Sequence, residues 1–240
     1  MENVEDIKSV EDYFGTMDVW SIYHRVVTAN NLSHREIYTD VARVLSELED
    51  EFSFLDLGCG DATYSAPILV NLPITYYCGV DLSATALELA EKNLSLLACP
   101  VELHKIDLLQ ALQNTKRQYD VIFSSFAIHH LSYEEKSYFF QSVIKRLSKN
   151  GILLLVDAMR EENEDLPTYL QRYCYHIRNE WQGIRPEEKE LVCCHVMEND
   201  FVETASTLEF MAKQAGFSSC QNVSKYSAHQ VIVLKNHLGL

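Results

Sequence analysis

A chain of 240 residues, 47% of them hydrophobic, fits one domain, or one domain with a cap, around a real core. Its formal charge of −15, with lysine and arginine scattered and no basic run, repels phosphate backbones and anionic lipid, so neither nucleic acid nor a membrane surface is an expected partner. The N-terminus is acidic and has no apolar segment, no apolar run approaches the ~20 residues that cross a bilayer, and seven irregularly spaced cysteines suit a reducing compartment; the expected location is the cytoplasm.

In chain order, residues 1–50 read as helices. Val19, Ile22, Val26 and Val27 form one apolar stripe, and Ser33 with Glu36 has the pattern of a capping box opening a second helix to Leu48. Short apolar runs then alternate with helical segments. Phe52–Leu57, Thr75–Val80, Val101–Ile106, Tyr119–Ser125 and Gly151–Val156 read as strands buried on both faces. Between them, Ser83 caps a helix over Ala84–Leu97, and Ser132 with Glu135 opens one that reaches Leu147 and stops at Asn150-Gly151. Residues 159–205 are polar and aromatic and read as an insertion. Ser206 with Glu209 opens a last helix ending at Gly216, and Phe217–Ser227 with Gln230–Lys235 reads as an antiparallel pair. The pattern predicts an α/β fold: a Rossmann-like, seven-stranded, mostly parallel sheet with helices on both faces, its last strand antiparallel. Residues 1–50 form an N-terminal helical lid; residues 51–240 carry the main domain, with a cap insertion at about 159–205.

The segment Phe54-Leu55-Asp56-Leu57-Gly58-Cys59-Gly60-Asp61-Ala62-Thr63 runs a strand into a glycine turn. Gly58 and Gly60 permit positive φ and close approach of a ligand to the backbone. Asp81, at the end of the second strand and 21 residues beyond Gly60, has the spacing of a ribose-binding acid. A dinucleotide fingerprint needs a third glycine where Thr63 stands, so the turn suits an adenosine ligand without phosphates.

The runs LDLGCGDAT, HKIDLLQ, YDVIFSSFAIHHL and LSKNGILLLVD, with the acid ending the second strand, together resemble the class I S-adenosylmethionine-dependent methyltransferases over residues 54–235. The resemblance implies S-adenosylmethionine as cofactor. Asp56 would orient the turn or meet the methionyl ammonium, and Gly58, Cys59 and Gly60 would cradle the ligand. Asp81 would hold the ribose hydroxyls, Leu82 line the adenine, and Asp107 accept from the adenine amino group beside Leu108; Ser124 completes the set. The nucleobase and amide signature Asn-Pro-Pro-Tyr is replaced by Ser124-Ser125-Phe126-Ala127, and tandem His129-His130 is common in small-molecule members.

Methyl transfer from a sulfonium is an in-line displacement, and a base is required only for a protonated nucleophile. His129, His195 and Tyr23 are the candidate bases. Tyr13, Trp20, Tyr23, His130, Tyr169 and Tyr173 are candidate walls for a small organic acceptor methylated at N, O or S. Acidic Glu161, Glu162, Glu164 and Asp165 favour an amine, whereas Arg160, Arg172, Arg178 and Arg185 offer a carboxylate clamp. Cys193-Cys194-His195 lacks a companion CxxC, so no metal is expected. A monomer or homodimer is expected. The rivals are transfer of a modified methyl group from the same cofactor site, and a cofactor-binding regulatory protein without turnover.

Overall fold

A computed structural model describes residues 17–236 of the chain. Helix α1 (Met17–Thr28) and α2 (His34–Ser46) precede β1 (Phe52–Leu57), α3 (Ser65–Leu69), β2 (Ile74–Asp81), α4 (Ala84–Leu94), β3 (Val101–Lys105), α5 (Leu108–Asn114) and β4 (Tyr119–Ser125). A 3₁₀ turn at Ile128–His130 leads to α6 (Tyr133–Ile144), β5 (Leu147–Ala158), α7 (Leu166–Glu180), α8 (Pro186–Asn199), α9 (Ala205–Ala215), β6 (Ser219–Tyr226) and β7 (His229–Lys235). The sheet order is β3-β2-β1-β4-β5-β7-β6. β1 to β5 pair in parallel; β7 runs antiparallel to both β5 and β6. Successive crossovers leave β1 toward β2 and β3 on one side and β4 and β5 on the other. The crevice at the carboxyl ends of β1 and β4 is therefore the place where such sheets take ligands.

Strand alternation divides the interior. Phe54, Val121, Phe123, Leu154 and Val156 point to one face, where α2, α3 and α4 bring Ile37, Val41, Leu69, Ala90 and Leu94. Leu55, Leu57, Ile122, Leu153 and Leu155 point to the other, covered by Phe139, Phe140 and Val143 of α6 and by Leu208, Met211 and Ala212 of α9. A third core lies off the sheet: Ile22 and Val26 of α1 pack with Tyr169, Tyr173 and Ile177 of α7, Trp181, and Cys193 and Val196 of α8. The segment expected as one lid thus has two parts. α2 belongs to the layer covering the sheet, and α1 packs with the insertion.

Three helix ends differ from the expected pattern. Ser33 has φ 57° and makes no cap with its side chain. Asn30 does that work instead, accepting from Arg35 N at 3.0 Å and donating to Glu36 at 2.8 Å. α6 ends at Ile144 because Leu147 already pairs with Tyr119, so Asn150-Gly151 lies inside β5. Thr204, not Ser206, caps α9, accepting from Thr207 N at 3.1 Å, while the Ser206 hydroxyl is held by Glu162. The capping boxes at Ser132 and the left-handed stop at Gly216 form as the sequence predicts.

Candidate functional site

The turn after β1 is fixed by backbone geometry. Gly58 and Gly60 take φ of +77° and +53°, and a Cβ on Gly58 would lie 2.7 Å from that of Ala127. Gly58 N and Cys59 N donate to the Val80 carbonyl at 2.9 and 3.0 Å. Asp81 closes the turn: Oδ2 accepts from Gly60 N and Oδ1 from Ser83 N, both at 2.8 Å. Each carboxylate oxygen keeps a second lone pair for a ligand hydroxyl. Burial raises the Asp81 carboxyl, against the pull of those backbone donors. Asp56 is enclosed beneath the turn and accepts from the Tyr77 hydroxyl at 2.8 Å; burial pushes it up to about 7. Asp107 caps α5 with Oδ1, accepting from Leu109 N and Gln110 N.

Above this turn lies a cavity of about 310 Å³. Its walls include Trp20, Tyr23, Gly58, Gly60, Asp81, Leu82, Asp107 and Leu108. A smaller cavity of about 80 Å³, lined by Asp56, Cys59, Asp61 and Tyr38, shares Tyr23, Gly58, Gly60 and Ser125 with it. All the expected cofactor residues except Ser124 face these two spaces. Ser124 is fully buried and donates to the Leu57 carbonyl at 3.0 Å; Ser125, one residue on, faces both cavities. Trp20 was expected at the acceptor, but it walls the larger cavity on the cofactor side, and its Nε1 donates to Ser83 Oγ at 2.9 Å.

A third cavity of about 120 Å³ lies beneath α1, α7 and α8. Ile22, Val26, Leu32, Ala158, Trp181 and Val196 make most of it apolar, and His129, His130, His195 and Asp200 gather at one end. Tyr23, Phe126 and His130 line both this space and the 310 Å³ cavity. Phe126 holds this position with φ of +52°, a strained geometry for an aromatic residue at the end of β4. Tyr173 faces the cavity and bonds His229 at 3.0 Å, while Tyr169 stacks behind it with its ring outside the lining. Tyr13 lies outside the described residues.

The histidines differ in state. His129 Nδ1 is 2.5 Å from Asp157 Oδ1, and Asp157 Oδ2 accepts from the backbone N–H of Ile128 and His129. Burial alone would lower His129, but Asp157 and then Asp200 outweigh it and raise it to about 9. A ring already carrying its proton at pH 7 takes none from an acceptor, so His129 departs from the expected base. His130 Nδ1 donates to the Asn199 carbonyl at 3.1 Å, which leaves the lone pair on Nε2; burial holds it well below the usual histidine range. Burial lowers His195 to about 4, and its Nδ1 is 3.3 Å from Asn199 Nδ2. Tyr23 is pushed up by burial, then by Asp61 and Asp81, which makes it a hydroxyl donor rather than a base.

The acids and arginines of the insertion that the sequence pattern singles out do not line the acceptor space. Glu164 pairs with Arg172, Glu161 with Lys225, Arg178 with Glu190, Arg185 with Glu188, and Arg160 with Glu203, while Asp165 caps α7. Among the described residues neither those acids nor an arginine clamp lines the cavity. Asp200, which the sequence reading did not single out, is the carboxylate that does. Burial pushes it up to about 6, partly opposed by His129.

Residues 55–153 match the family described as "Methyltransferase domain". An uncharacterized methyltransferase of Bacillus licheniformis is 28% identical over 145 residues, covering 59% of this chain and 65% of that protein, so the match spans a little under two thirds of the relative's length. Among solved structures, magnesium protoporphyrin IX methyltransferase from Synechocystis PCC 6803 with bound SAH superposes with a TM-score of 0.65 at 15% identity, covering 94% of this chain and 97% of that one. An O-methyltransferase family protein from Burkholderia thailandensis gives 0.65 at 17% identity, covering 96% and 63%. Among the described residues no helix is long and apolar enough to cross a membrane. The matched stretch runs from β1 through β4 and carries the glycine turn closed by Asp81; it is similar to a methyltransferase domain, and the sheet as a whole shares its fold with the solved methyltransferase structures.

Proposed function

We propose that the protein transfers the methyl group of S-adenosylmethionine to a small, largely apolar organic acceptor carrying one nucleophilic O, S or N. The observation that supports this reading is the junction of two cavities. The space over Asp81 and Leu82 and the space under α7 and α8 meet at Tyr23, Phe126 and His130. A sulfonium methyl at that junction would face a nucleophile held in the apolar space, the alignment an in-line displacement requires. In this reading adenosine occupies the larger cavity, with Asp81 on the ribose, and the methionyl end extends toward Asp56 and Asp61.

His195 and His130, both neutral at pH 7, offer lone pairs to the acceptor's X–H, and His129 with Asp157 holds the floor on which they sit. α1 acts as the lid, since Trp20, Tyr23 and Ile22 close the cofactor and acceptor spaces from one side. Among the described residues the lining carries no arginine and only one carboxylate, which favours a neutral acceptor such as a phenol or thiol over an acid.

The test is methyl transfer from isotopically labelled S-adenosylmethionine to a panel of small phenols, thiols and amines, with calorimetry of S-adenosylhomocysteine and NAD alongside. The expected result is binding of the adenosyl ligand, none of NAD, and turnover with neutral members of the panel. Tight NAD binding would overturn the cofactor reading. Tight S-adenosylhomocysteine binding without transfer to any class would leave the non-catalytic alternative.

A further inference from the structure

We propose that the polar end of the acceptor cavity is a metal centre: a divalent first-row transition ion held by His129 Nε2, His130 and Asp200 Oδ1, with its remaining position open toward the acceptor. Its function for the acceptor rests on the methyltransferase reading; its existence does not.

Three observations carry the assignment. The ligating atoms of His129, His130 and Asp200 all lie within 4.8 Å of one another. His129 Nε2 is 3.8 Å and His130 Nδ1 3.5 Å from Asp200 Oδ1. The first is too long for a hydrogen bond. Both are near the roughly 3.3 Å edge of a tetrahedron whose ligands stand ~2.0–2.1 Å from a zinc-like ion. Second, Asp200 Oδ1 is enclosed by protein and accepts no hydrogen bond among the described residues. Such an oxygen needs a cation: in metal-free protein the His129 imidazolium stands 3.8 Å away without hydrogen-bonding it, and an ion on His129 Nε2 would take the place of that proton. Third, His129 carries the second shell that metal-bound imidazoles have. Its Nδ1 faces Asp157 at 2.5 Å, and Asp157 is anchored by two backbone N–H groups, so the ring is aimed with Nε2 into the cavity.

The neighbouring charges agree in sign. Asp200 lines an otherwise apolar space with Asp157 behind His129, and the nearby Lys136 amino group is directed at the carbonyls of Leu131 and Phe201. Coordination through His130 Nδ1 gives up its bond to the Asn199 carbonyl, the one local cost. Imidazole and carboxylate ligands suit Zn²⁺, Fe²⁺ or Co²⁺ better than Mg²⁺. Three protein ligands and an open position are the form of a catalytic rather than a structural site.

For the acceptor the consequence is activation. An O–H or S–H bound to the ion would lose its proton more readily, and neutral His195 in the same lining would take it. The lone pair left on the heteroatom forms the new bond to the methyl carbon, and the electrons of the broken C–S bond stay on sulfur as S-adenosylhomocysteine. His130 lines both cavities, so the ion would stand at their junction.

The experiment uses the full chain, stripped with a chelator, dialysed and titrated with Co²⁺ and Zn²⁺. The expected result is one equivalent bound, with a Co²⁺ visible spectrum of nitrogen and oxygen ligands. Asp200→Asn and His129→Gln should weaken binding by ~100-fold or more, and Asp157→Asn by ~10–100-fold. Thermal unfolding and S-adenosylhomocysteine affinity check each variant's fold, and His130→Gln replaces any that does not fold. The proposal is overturned if the wild type shows no saturable ion binding, if binding survives Asp200→Asn and His129→Gln, or if it is lost in Cys193→Ser, which would place the ion on thiolates. Ion binding without adenosyl-ligand binding would overturn the methyltransferase reading and leave the metal site; the reverse result would remove the metal site alone.

Discussion

The cofactor half and the acceptor half of the site are built by different means. Around the cofactor cavity, short contiguous pieces at the ends of β1, β2 and β3 present backbone N–H groups and the carboxylates of Asp81 and Asp107, and Asp81 ties the glycine turn to the next helix. Around the acceptor cavity, Ile22, Phe126, His129, Ala158, His195, Asp200 and His229 come from five separate stretches and present side chains. The first half depends on chain geometry, which few substitutions can satisfy. The second depends on side-chain identity at the ends of elements, so it can be re-specified without disturbing the sheet.

The largest test of this contrast is Gly58→Val. Its Cβ would lie 2.7 Å from Ala127 in a backbone with φ of +77°, so cofactor affinity should fall beyond calorimetric detection, with a loss of stability as well. Unchanged affinity would break the claim that geometry governs this half. Asp81→Ala should weaken S-adenosylhomocysteine binding by roughly 1–3 kcal/mol, the cost of leaving its partners unpaired. In the other half, Ala158→Leu adds bulk to a 120 Å³ cavity and leaves the glycine turn untouched. It should raise the acceptor KM by about tenfold, within the ~1–3 kcal/mol that overpacking costs, while cofactor affinity stays within about twofold. A comparable loss of cofactor affinity would show that the halves are not separable.

The last test is one of pH. In metal-free protein, His129 lies at about 9 when folded, above its unfolded value of about 6.5. Its contribution is complete below about 6.5 and is lost as pH rises through 9. The stability gap between wild type and His129→Gln, from denaturant titrations at pH 6, 7.5 and 9.5, should therefore narrow by on the order of 1 kcal/mol per pH unit over that window. A gap independent of pH would show that the ring acts by packing alone.

The same contrast explains what could be read from the residues alone. The glycine turn and Asp81 are neighbours at a fixed spacing, so the cofactor half was legible. The error at Ser124 is a matter of phase: Tyr119–Ser125 is apolar on both faces, and no alternation tells which serine turns toward the cavity. The state of His129 was hidden because Asp157, whose carboxylate favours the protonated ring, lies 28 residues away at the end of β5. Asp200 had no local signal at all; it becomes visible only when the end of α8 folds against the turn after β4, where Phe201 N bonds the His129 carbonyl at 2.8 Å. The acids and arginines at 160–190 were the opposite case, a conspicuous pattern whose members mostly neutralise one another on the surface of the cap.

The hydrogen bond from Trp20 to Ser83 has a kinetic consequence. It joins α1 to the loop that holds the cofactor's ribose acid, and a second link, Arg25 to Glu188, joins the same helix to α8 over the acceptor. A ligand roofed by α1 leaves no faster than these two clasps open together. Residence time of the spent cofactor is then a property of the helix rather than of the pocket, and Trp20→Phe, which keeps the ring and removes the donor, should shorten it with little change in how the bound molecule is held.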